Sequence, residues 1–215
     1  MYEFVRGPLV WMAAILTAGG VLYKAVAMHA LARKEKSVYP TLSAKFGLRS
    51  MLHWLVPFAS RNMRLHWVVT IVSYTFHACL IVTPLFVMGH AVLWHESWGI
   101  SWWSLPAPAA DLMSILVVVC GIFLLLRRIA SPEVRNVTGA REYLLLLLVI
   151  APFLTGYIAH HQWWSPGTMV VIHIVVGCLW LVAIPFTWLS HVMWFAFSRS
   201  FMGSEFGAVR NARDW

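Results

Sequence analysis

Long apolar runs separated by shorter polar segments cover most of this chain. A run of about 20 apolar residues is long enough to cross the hydrocarbon layer of a bilayer as a helix. The pattern predicts spans over residues 8–31, 65–93, 111–128, 142–160 and 168–195. The sequence therefore predicts an all-α fold, an integral membrane bundle of five helices in one domain over residues 1–215.

The connection over residues 32–64 has a different pattern from the spans. It is basic, and its stretch FGLRSMLHWLVPF has apolar residues at roughly helical spacing. Such a segment is typical of an amphipathic helix that lies in the membrane interface. Docking of a partner subunit is the alternative.

Positive charge predicts the orientation of the bundle. The 32–64 connection, the 127–141 loop and the tail hold seven, four and three Lys or Arg residues, whereas the other side holds only Arg6 and Lys24 lies within a span. Cytoplasmic loops are enriched in Lys and Arg. We therefore expect the N-terminus outside and the C-terminus in the cytoplasm.

Composition excludes several function classes. The chain is 60% hydrophobic and has a formal charge of +8, but this charge is divided among loops, which argues against nucleic-acid binding. The three cysteines all lie inside apolar runs, and neither a CxxC nor a CxxCH motif is present. Iron–sulfur, zinc and covalent c-type haem sites therefore find no support, and the cysteines are expected to pack as small apolar residues.

Four histidines form the candidate site. His173 and His191 are 18 residues apart, five whole turns of one helix, so both face the same way at a separation of about 27 Å. His66 and His77 are 11 residues apart and also share a face. Ionisable residues within spans are functional candidates by default. Four histidines without acidic partners suggest axial ligation of haem iron.

The alternation of the spans pairs these histidines across two helices. His66 and His191 fall near the cytoplasmic side, and His77 and His173 fall toward the outside. His90 lies about 220° round a straight helix from His77, so it is expected to face away, although a kink at Pro84 leaves that phase open.

Three further residues have two explanations each. Gly177 lies one turn after His173, where a missing side chain would admit a flat macrocycle or a neighbouring helix. His160 and His161 end the fourth span as interfacial residues or as proton acceptors for a quinone. His90, like His160 and His161, is a candidate residue on the possible quinone side.

Three motifs resemble the γ-subunit family of respiratory nitrate reductase, which are dihaem cytochrome b membrane subunits. They are H173-x3-G177-x7-P185-F186-x4-H191, LLLRRIASPEVRNVTGAR over 124–141, and His77 followed by Thr83-Pro84. The resemblance covers residues 60–195. It implies two haem b groups, a distal one held by His77 and His173 and a proximal one held by His66 and His191. His66 departs from the family by one residue of spacing, because strict register would place Trp67 there.

The family also includes cytochrome b subunits of transmembrane redox complexes in sulfate-reducing bacteria, and the small size of this chain is closer to that branch. The resemblance implies a respiratory complex of the bacterial inner membrane that serves anaerobic respiration. Its partners would be a periplasmic multihaem cytochrome c or the quinol pool and a cytoplasmic iron–sulfur subunit similar to heterodisulfide reductase.

Two alternatives remain at this stage. The chain could be the quinol-oxidising subunit of a nitrate-reductase-type enzyme, which would take electrons from menaquinol or ubiquinol and bind menaquinone as a possible cofactor, and only then would it be catalytic itself. A transporter or a haem-free anchor is less favoured, because the spans show no embedded acids, broken-helix pairs or repeats.

Overall fold

The computed structural model describes residues 2–215, and these residues form helices and no strands, with 81% of the chain helical. Five helices are long and apolar enough to cross a membrane. They are span 1 (Tyr2–Ala32), span 2 (Trp67–Phe86), span 3 (Ala107–Ala130), span 4 (Ala140–His160) and span 5 (Pro166–Phe186). The predicted all-α fold with five spans is confirmed. The chain is a multi-pass membrane protein.

Large apolar side chains on the outside of the spans identify the surface that faces lipid. Leu22 and Tyr23 on span 1 are 66% and 70% exposed, and Leu144 on span 4 is 66% exposed. Such exposure would be costly in water, whereas lipid tails are as apolar as leucine. Membrane lipid is therefore a direct contact of these helices.

Span 2 is shorter than the sequence pattern predicts. It ends at Phe86 rather than near residue 93, Val87 adopts an extended conformation, and a new helix runs over Met88–Trp98. The prediction of one helix over about 65–93 is therefore wrong at its C-terminal end, while at its N-terminal end the helix begins two residues later and leaves His66 just before its first residue.

The interruption after span 2 has its own hydrogen bonds. The carbonyl of Pro84 accepts from the His90 ring over 2.8 Å, that of Leu85 accepts from the Trp102 indole over 2.7 Å, and that of Phe86 accepts from the Leu105 backbone over 2.7 Å. An unsatisfied carbonyl in a bilayer costs several kcal/mol. These three donors let the helix end here without that cost.

Span 5 is interrupted in the same way. It ends at Phe186, Thr187 is extended, a 3-10 turn covers Trp188–Ser190, and a new helix covers His191–Ser204. The predicted single helix over 168–195 is therefore wrong beyond Phe186. The five-turn phase that relates His173 to His191 does not apply, because the two histidines lie on different helices.

The remaining helices are short. They cover Tyr39–Thr41, Ala44–Leu55, Arg61–Leu65, Pro132–Arg135 and, as a wider π-type turn, Glu205–Val209. Within the 32–64 connection, the helix Ala44–Leu55 is the amphipathic one that the sequence predicts. Its Leu48, Leu52 and Leu55 are all more than half exposed.

The chain divides into two compact units, residues 1–6 with 71–180 and residues 7–70 with 181–215. In the first unit, spans 3 and 4 approach closely at Gly121, where an added Cβ would lie 2.5 Å from the Ile150 side chain. Cys79, Cys120 and Cys178 are all buried and free, as predicted for cysteines that serve in packing.

In the second unit, the C-terminal segment covers one side of the helix Ala44–Leu55. Ser50 donates a hydrogen bond to the Asp214 carboxylate over 2.6 Å, and the Trp215 indole stacks on the His53 ring at 4.2 Å. Residues 7–32 of span 1 belong to the same unit and approach Pro185 through Gly20, where a Cβ would lie 2.7 Å from the proline ring.

Candidate functional site

In four histidines the same ring nitrogen, Nδ1, is hydrogen-bonded to a backbone carbonyl oxygen. Their Nδ1 atoms lie 2.7 to 3.0 Å from backbone carbonyl oxygens. The pairs are His77 with Ser73, His90 with Pro84, His173 with Pro152, and His191 with Trp188. A carbonyl only accepts, so Nδ1 must donate and the lone pair of the neutral ring lies on Nε2. Histidines that bind metals characteristically use one nitrogen for the metal and donate the other N–H to such an acceptor.

His173 is positioned by span 4. Its Nδ1 donates to the carbonyl of Pro152, and the Thr155 hydroxyl lies 3.4 Å from the same nitrogen. At Gly156 an added Cβ would lie 2.9 Å from Cε1 of the His173 ring. The missing side chain at Gly156 therefore forms a notch that receives the imidazole. Sequence reasoning missed Pro152 and Gly156, although their spacing of four residues places both on one helix face.

His90 lies beside His173. The two ring centroids are 6.0 Å apart and the ring planes differ by 21°. The expectation that His90 faces away is wrong, because span 2 ends at Phe86 and His90 belongs to the next helix. Helical phase counted from His77 does not extend across the extended residue Val87.

The other predicted ligands are more exposed. His77 lies within span 2 with an exposed side chain. His191 begins the helix that follows span 5, and its side chain is also exposed. His66 precedes span 2, and its backbone carbonyl accepts from the Thr70 amide over 3.0 Å. The pairs of His77 with His173 and of His66 with His191 stay predictions.

Gly177 has no packing contact that explains it. An added Cβ there would meet none of the described atoms within 4 Å. Of the two explanations that the sequence left open, close helix packing therefore finds no support over residues 2–215. Approach of a flat group to the helix backbone stays a prediction.

His161 has a chemistry different from that of the four rings above. Its Nε2 lies 3.1 Å from the Asp111 carboxylate on span 3, and the Tyr157 ring lies 4.5 Å away. His160 is exposed and contacts the edge of His161 at 5.2 Å. An imidazole that is hydrogen-bonded to a carboxylate can exchange protons. Sequence reasoning overlooked Asp111, the acid at the start of an otherwise apolar span.

The residues present fit axial ligation better than a metal site made of protein ligands alone. Within residues 2–215, no three His, Cys, Asp or Glu side chains are grouped to hold a metal ion. Zinc sites use three or four protein ligands, whereas haem iron takes its protein ligands axially, one or two at a time. The rings of His90 and His173 lie with nearly parallel planes, 21° apart, at a centroid distance of 6.0 Å.

The chain has a relative of nearly equal length. No family model matches the chain, and no solved structure matches it. A protein of Nitratidesulfovibrio vulgaris that carries only the name "Protein" is 32% identical over 215 residues, which cover 98% of this chain and 95% of the relative. The chain belongs to the same family as this Nitratidesulfovibrio vulgaris protein.

Proposed function

We propose that this chain is a dihaem b-type cytochrome subunit that conducts electrons across a bacterial inner membrane. The donor would be a multihaem cytochrome c or the quinol pool on the outside. The acceptor would be a cytoplasmic iron–sulfur subunit similar to heterodisulfide reductase. The observation that carries the proposal is the set of four histidines whose Nδ1 atoms each bond to a backbone carbonyl, which puts the lone pair of each neutral ring on Nε2, the atom that would bind iron.

In this proposal the protein would fix the positions and the tautomers of the histidine rings and would bury the haem. The Pro152 carbonyl fixes the His173 ring from one side while Gly156 leaves room for it, and the Trp188 carbonyl fixes the ring of His191. A bound haem b would supply reversible one-electron chemistry at its iron. The apolar spans would exclude water from that iron, which is one of the means by which a protein sets a redox potential.

The proposed orientation places the basic loops in the cytoplasm. Fourteen of the 16 Lys and Arg residues lie in the 32–64 connection, the 127–141 loop and the tail. On the opposite side, the charge of Arg6 is paired with Glu96. This asymmetry supports an N-terminus outside the cytoplasm. It also leaves a basic cytoplasmic surface for a partner subunit.

The interruptions of spans 2 and 5 do not favour a transporter function. Discontinuous helices in transporters offer unwound carbonyls to ions. Here the carbonyls of Pro84, Leu85 and Phe86 each accept a hydrogen bond from a protein donor. The interruption after span 2 therefore holds a histidine in place and presents no open ring of oxygens.

A haem count on the purified chain tests the proposal. Membranes that contain the full chain would be solubilised in mild detergent, and the pyridine haemochrome spectrum would give haem per polypeptide. We expect two haem b per chain, both low-spin. A chain purified as a monodisperse species from haem-replete cells with no haem would refute the proposal. Co-purification of an iron–sulfur protein with the intact chain would test the cytoplasmic partner separately.

A quinol-oxidising subunit is the second candidate, and one observation favours it. The His161–Asp111 pair at 3.1 Å could accept a proton from a menaquinol hydroxyl. Substitution of Asp111 by Asn would then lower quinol-dependent reduction and leave the haem count unchanged. If the Asp111→Asn variant reduces its haems with quinol as fast as the parent chain, this candidate fails.

A further inference from the structure

We infer that a groove beside the basic 32–64 connection binds one anionic phospholipid, with its acyl chains in the groove and its phosphate among the basic residues. The inference does not depend on the proposed haem function, because none of the residues that carry it belongs to the proposed haem sites. It goes beyond the general contact of the spans with lipid, since it assigns a defined site and a class of headgroup.

The groove lies within the unit of residues 7–70 and 181–215 and has two arms. The first arm, of about 450 Å³, lies between the last turns of span 1 and the helix His191–Ser204. The second arm, of about 460 Å³, lies between that helix and the helix Ala44–Leu55. Leu42 and Ser200 line both arms, so the arms meet there. Two arms suit the two acyl chains of one phospholipid better than the single tail of a quinone.

The lining of the groove suits hydrocarbon. Met28, Met193 and Phe197 line the first arm, and Leu48 and Met51 line the second. Methionine side chains are flexible and polarisable, so they adapt to an irregular apolar ligand.

The serine hydroxyls in the lining are already bonded to the backbone. Ser200 donates to the Ala196 carbonyl over 2.8 Å, and the Ser204 hydroxyl accepts from the Ser43 amide over 3.0 Å. These serines therefore do not call for a polar ligand, and the groove favours an acyl chain over a water-soluble molecule.

The groove is continuous with the surface of span 1 that faces lipid. Ala25 and His29 line the first arm and are exposed. Leu22 and Val26, which are 66% and 60% exposed, lie three residues before them, so all four share one stripe of the helix. An acyl chain can therefore enter the groove from the bilayer without crossing water. A protein partner would first have to displace lipid from the same stripe.

Positive charge lies where the phosphate of such a lipid would be. His29 is in the last turn of span 1, which ends at Ala32, and Arg33 is exposed one turn beyond His29 on the same face. Lys45 is also exposed and directly follows Ala44, which lines the second arm. Lipid headgroups begin where the apolar part of a span ends.

The negative charge of the connection does not cancel this positive charge. The 32–64 connection holds seven Lys or Arg residues and one acid, Glu35. The Glu35 carboxylate accepts from the amides of Ser37 and Tyr39, over 2.8 and 3.1 Å, so it is engaged by its own turn. Clusters of Lys and Arg beside a span attract anionic lipids. Charge complementarity therefore selects an anionic headgroup over a zwitterionic one.

The first experiment compares two lipids on the full chain, purified in mild detergent and washed free of loosely bound lipid. Phosphatidylglycerol or phosphatidylethanolamine is added at the same mole fraction, and thermal unfolding is recorded. A ligand that binds only the folded chain raises its unfolding temperature. We expect phosphatidylglycerol to raise that temperature and phosphatidylethanolamine to leave it unchanged. Equal shifts with both lipids would overturn the inference.

A substitution that fills the first arm tests its position. Ala25→Phe places a large ring in the arm, and Ala14→Phe is the matched control. Both alanines are exposed on span 1, and their spacing of 11 residues puts them on nearly the same face. We expect Ala25→Phe to lose the response to phosphatidylglycerol and the anionic lipid that co-purifies, and Ala14→Phe to keep both.

Ala196→Phe fills the same arm from its other wall and serves where Ala25→Phe does not fold. If whichever of these variants folds keeps the anionic lipid as the parent does, the groove is not the site and the inference is wrong.

Charge variants test the place of the phosphate. Arg33→Gln and Lys45→Gln should each raise the phosphatidylglycerol concentration at half-maximal shift by about fivefold. Arg141→Gln, in the 127–141 loop, also removes an exposed positive charge and should not change it. Equal half-maximal concentrations in the parent, Arg33→Gln and Lys45→Gln would refute the inference.

Mass spectrometry of the material extracted from the purified chain identifies the occupant directly. We expect an anionic phospholipid that is present in the parent and lost when the groove is filled. A quinone lost in its place, or a protein that co-purifies only while the groove is open, would overturn the inference. Haem content is measured on the same samples. A chain with two haems and no preference for phosphatidylglycerol refutes this inference alone, and a haem-free chain that keeps the preference refutes only the proposed function.

Discussion

Substitution of Gly156 by Ala tests how closely span 4 fits the ring of His173. The new Cβ would lie 2.9 Å from Cε1 and 3.1 Å from Nδ1 of the imidazole. Nonbonded heavy atoms prefer about 3.5–4.0 Å, so the ring must retreat by about 0.6 Å or more. Nδ1 is held 3.0 Å from the Pro152 carbonyl, and the retreat would stretch that hydrogen bond.

The size of the effect follows from three contributions. Overpacking costs about 1–3 kcal/mol, and a weakened hydrogen bond adds up to about 1 kcal/mol. The better helix propensity of alanine returns about 1 kcal/mol. We therefore expect Gly156→Ala to destabilise the chain by up to about 3 kcal/mol, with a disturbed signal from the haem at His173.

Thermal unfolding in detergent and EPR of the ferric protein measure the two effects. Gly19→Ala is the matched control, because Gly19 also lies in a span and its added Cβ would meet none of the described atoms within 4 Å. If Gly156→Ala unfolds at the same temperature as the parent and has the same EPR signals, then span 4 does not position this ring.

Three further outcomes follow from the structure. Gly20→Ala places a Cβ 2.7 Å from the Pro185 ring, so it should lower the unfolding temperature by the equivalent of about 1–3 kcal/mol, whereas Gly19→Ala should not. The Cβ of Gly177→Ala would meet none of the described atoms within 4 Å, so this substitution should not lower the unfolding temperature, and it should lower the haem count if a macrocycle covers that position. Hydrogen bonds from the Ser37 and Val38 amides hold the pKa of Glu35 below its usual value of 4.5. The turn that Glu35 caps is therefore fully stabilised above pH about 4.5, and this stabilisation is lost as the pH falls through the lower folded pKa. The protection of the 35–39 amides against hydrogen exchange, corrected for the intrinsic rate at each pH, should therefore fall as Glu35 becomes protonated, and in Glu35→Gln that dependence should be absent.

Much of the fold could be predicted from the sequence because membrane helices are selected by length and apolar content. Those two properties are local, so all five spans were found, with boundaries within a few residues in spans 3 and 4. The burial of Cys79, Cys120 and Cys178 followed from the same pattern.

The ends of spans 2 and 5 could not be predicted, because donors distant in sequence decide them. Span 2 ends at Phe86. The Trp102 indole and the Leu105 amide donate hydrogen bonds to the carbonyls of Leu85 and Phe86, which the next helical turn would otherwise satisfy. Hydropathy does not register such donors, since residues 87–93 are as apolar as a span. Every angle counted across Val87 or Thr187 then fails, which is why His90 was assigned to the wrong side.

The sequence did contain one signal for these interruptions. The two P-x5-H segments, over 84–90 and 185–191, place a residue that breaks helices six positions before a residue that can satisfy a carbonyl. By contrast, the notch at Gly156 had no such signal. A glycine in a span has several packing explanations, and only the position of His173 shows which one applies.

The two ways of fixing a histidine ring hold it with different firmness. The Ser73 carbonyl that holds His77 lies inside a continuous helix, where it is also the natural acceptor of the His77 backbone amide. The Pro84 carbonyl that holds His90 lies where the helix is interrupted. A ring that shares its acceptor with the helix ladder gains less from the bond than a ring that satisfies a carbonyl in an apolar layer. The His90 ring is therefore held more firmly than the His77 ring.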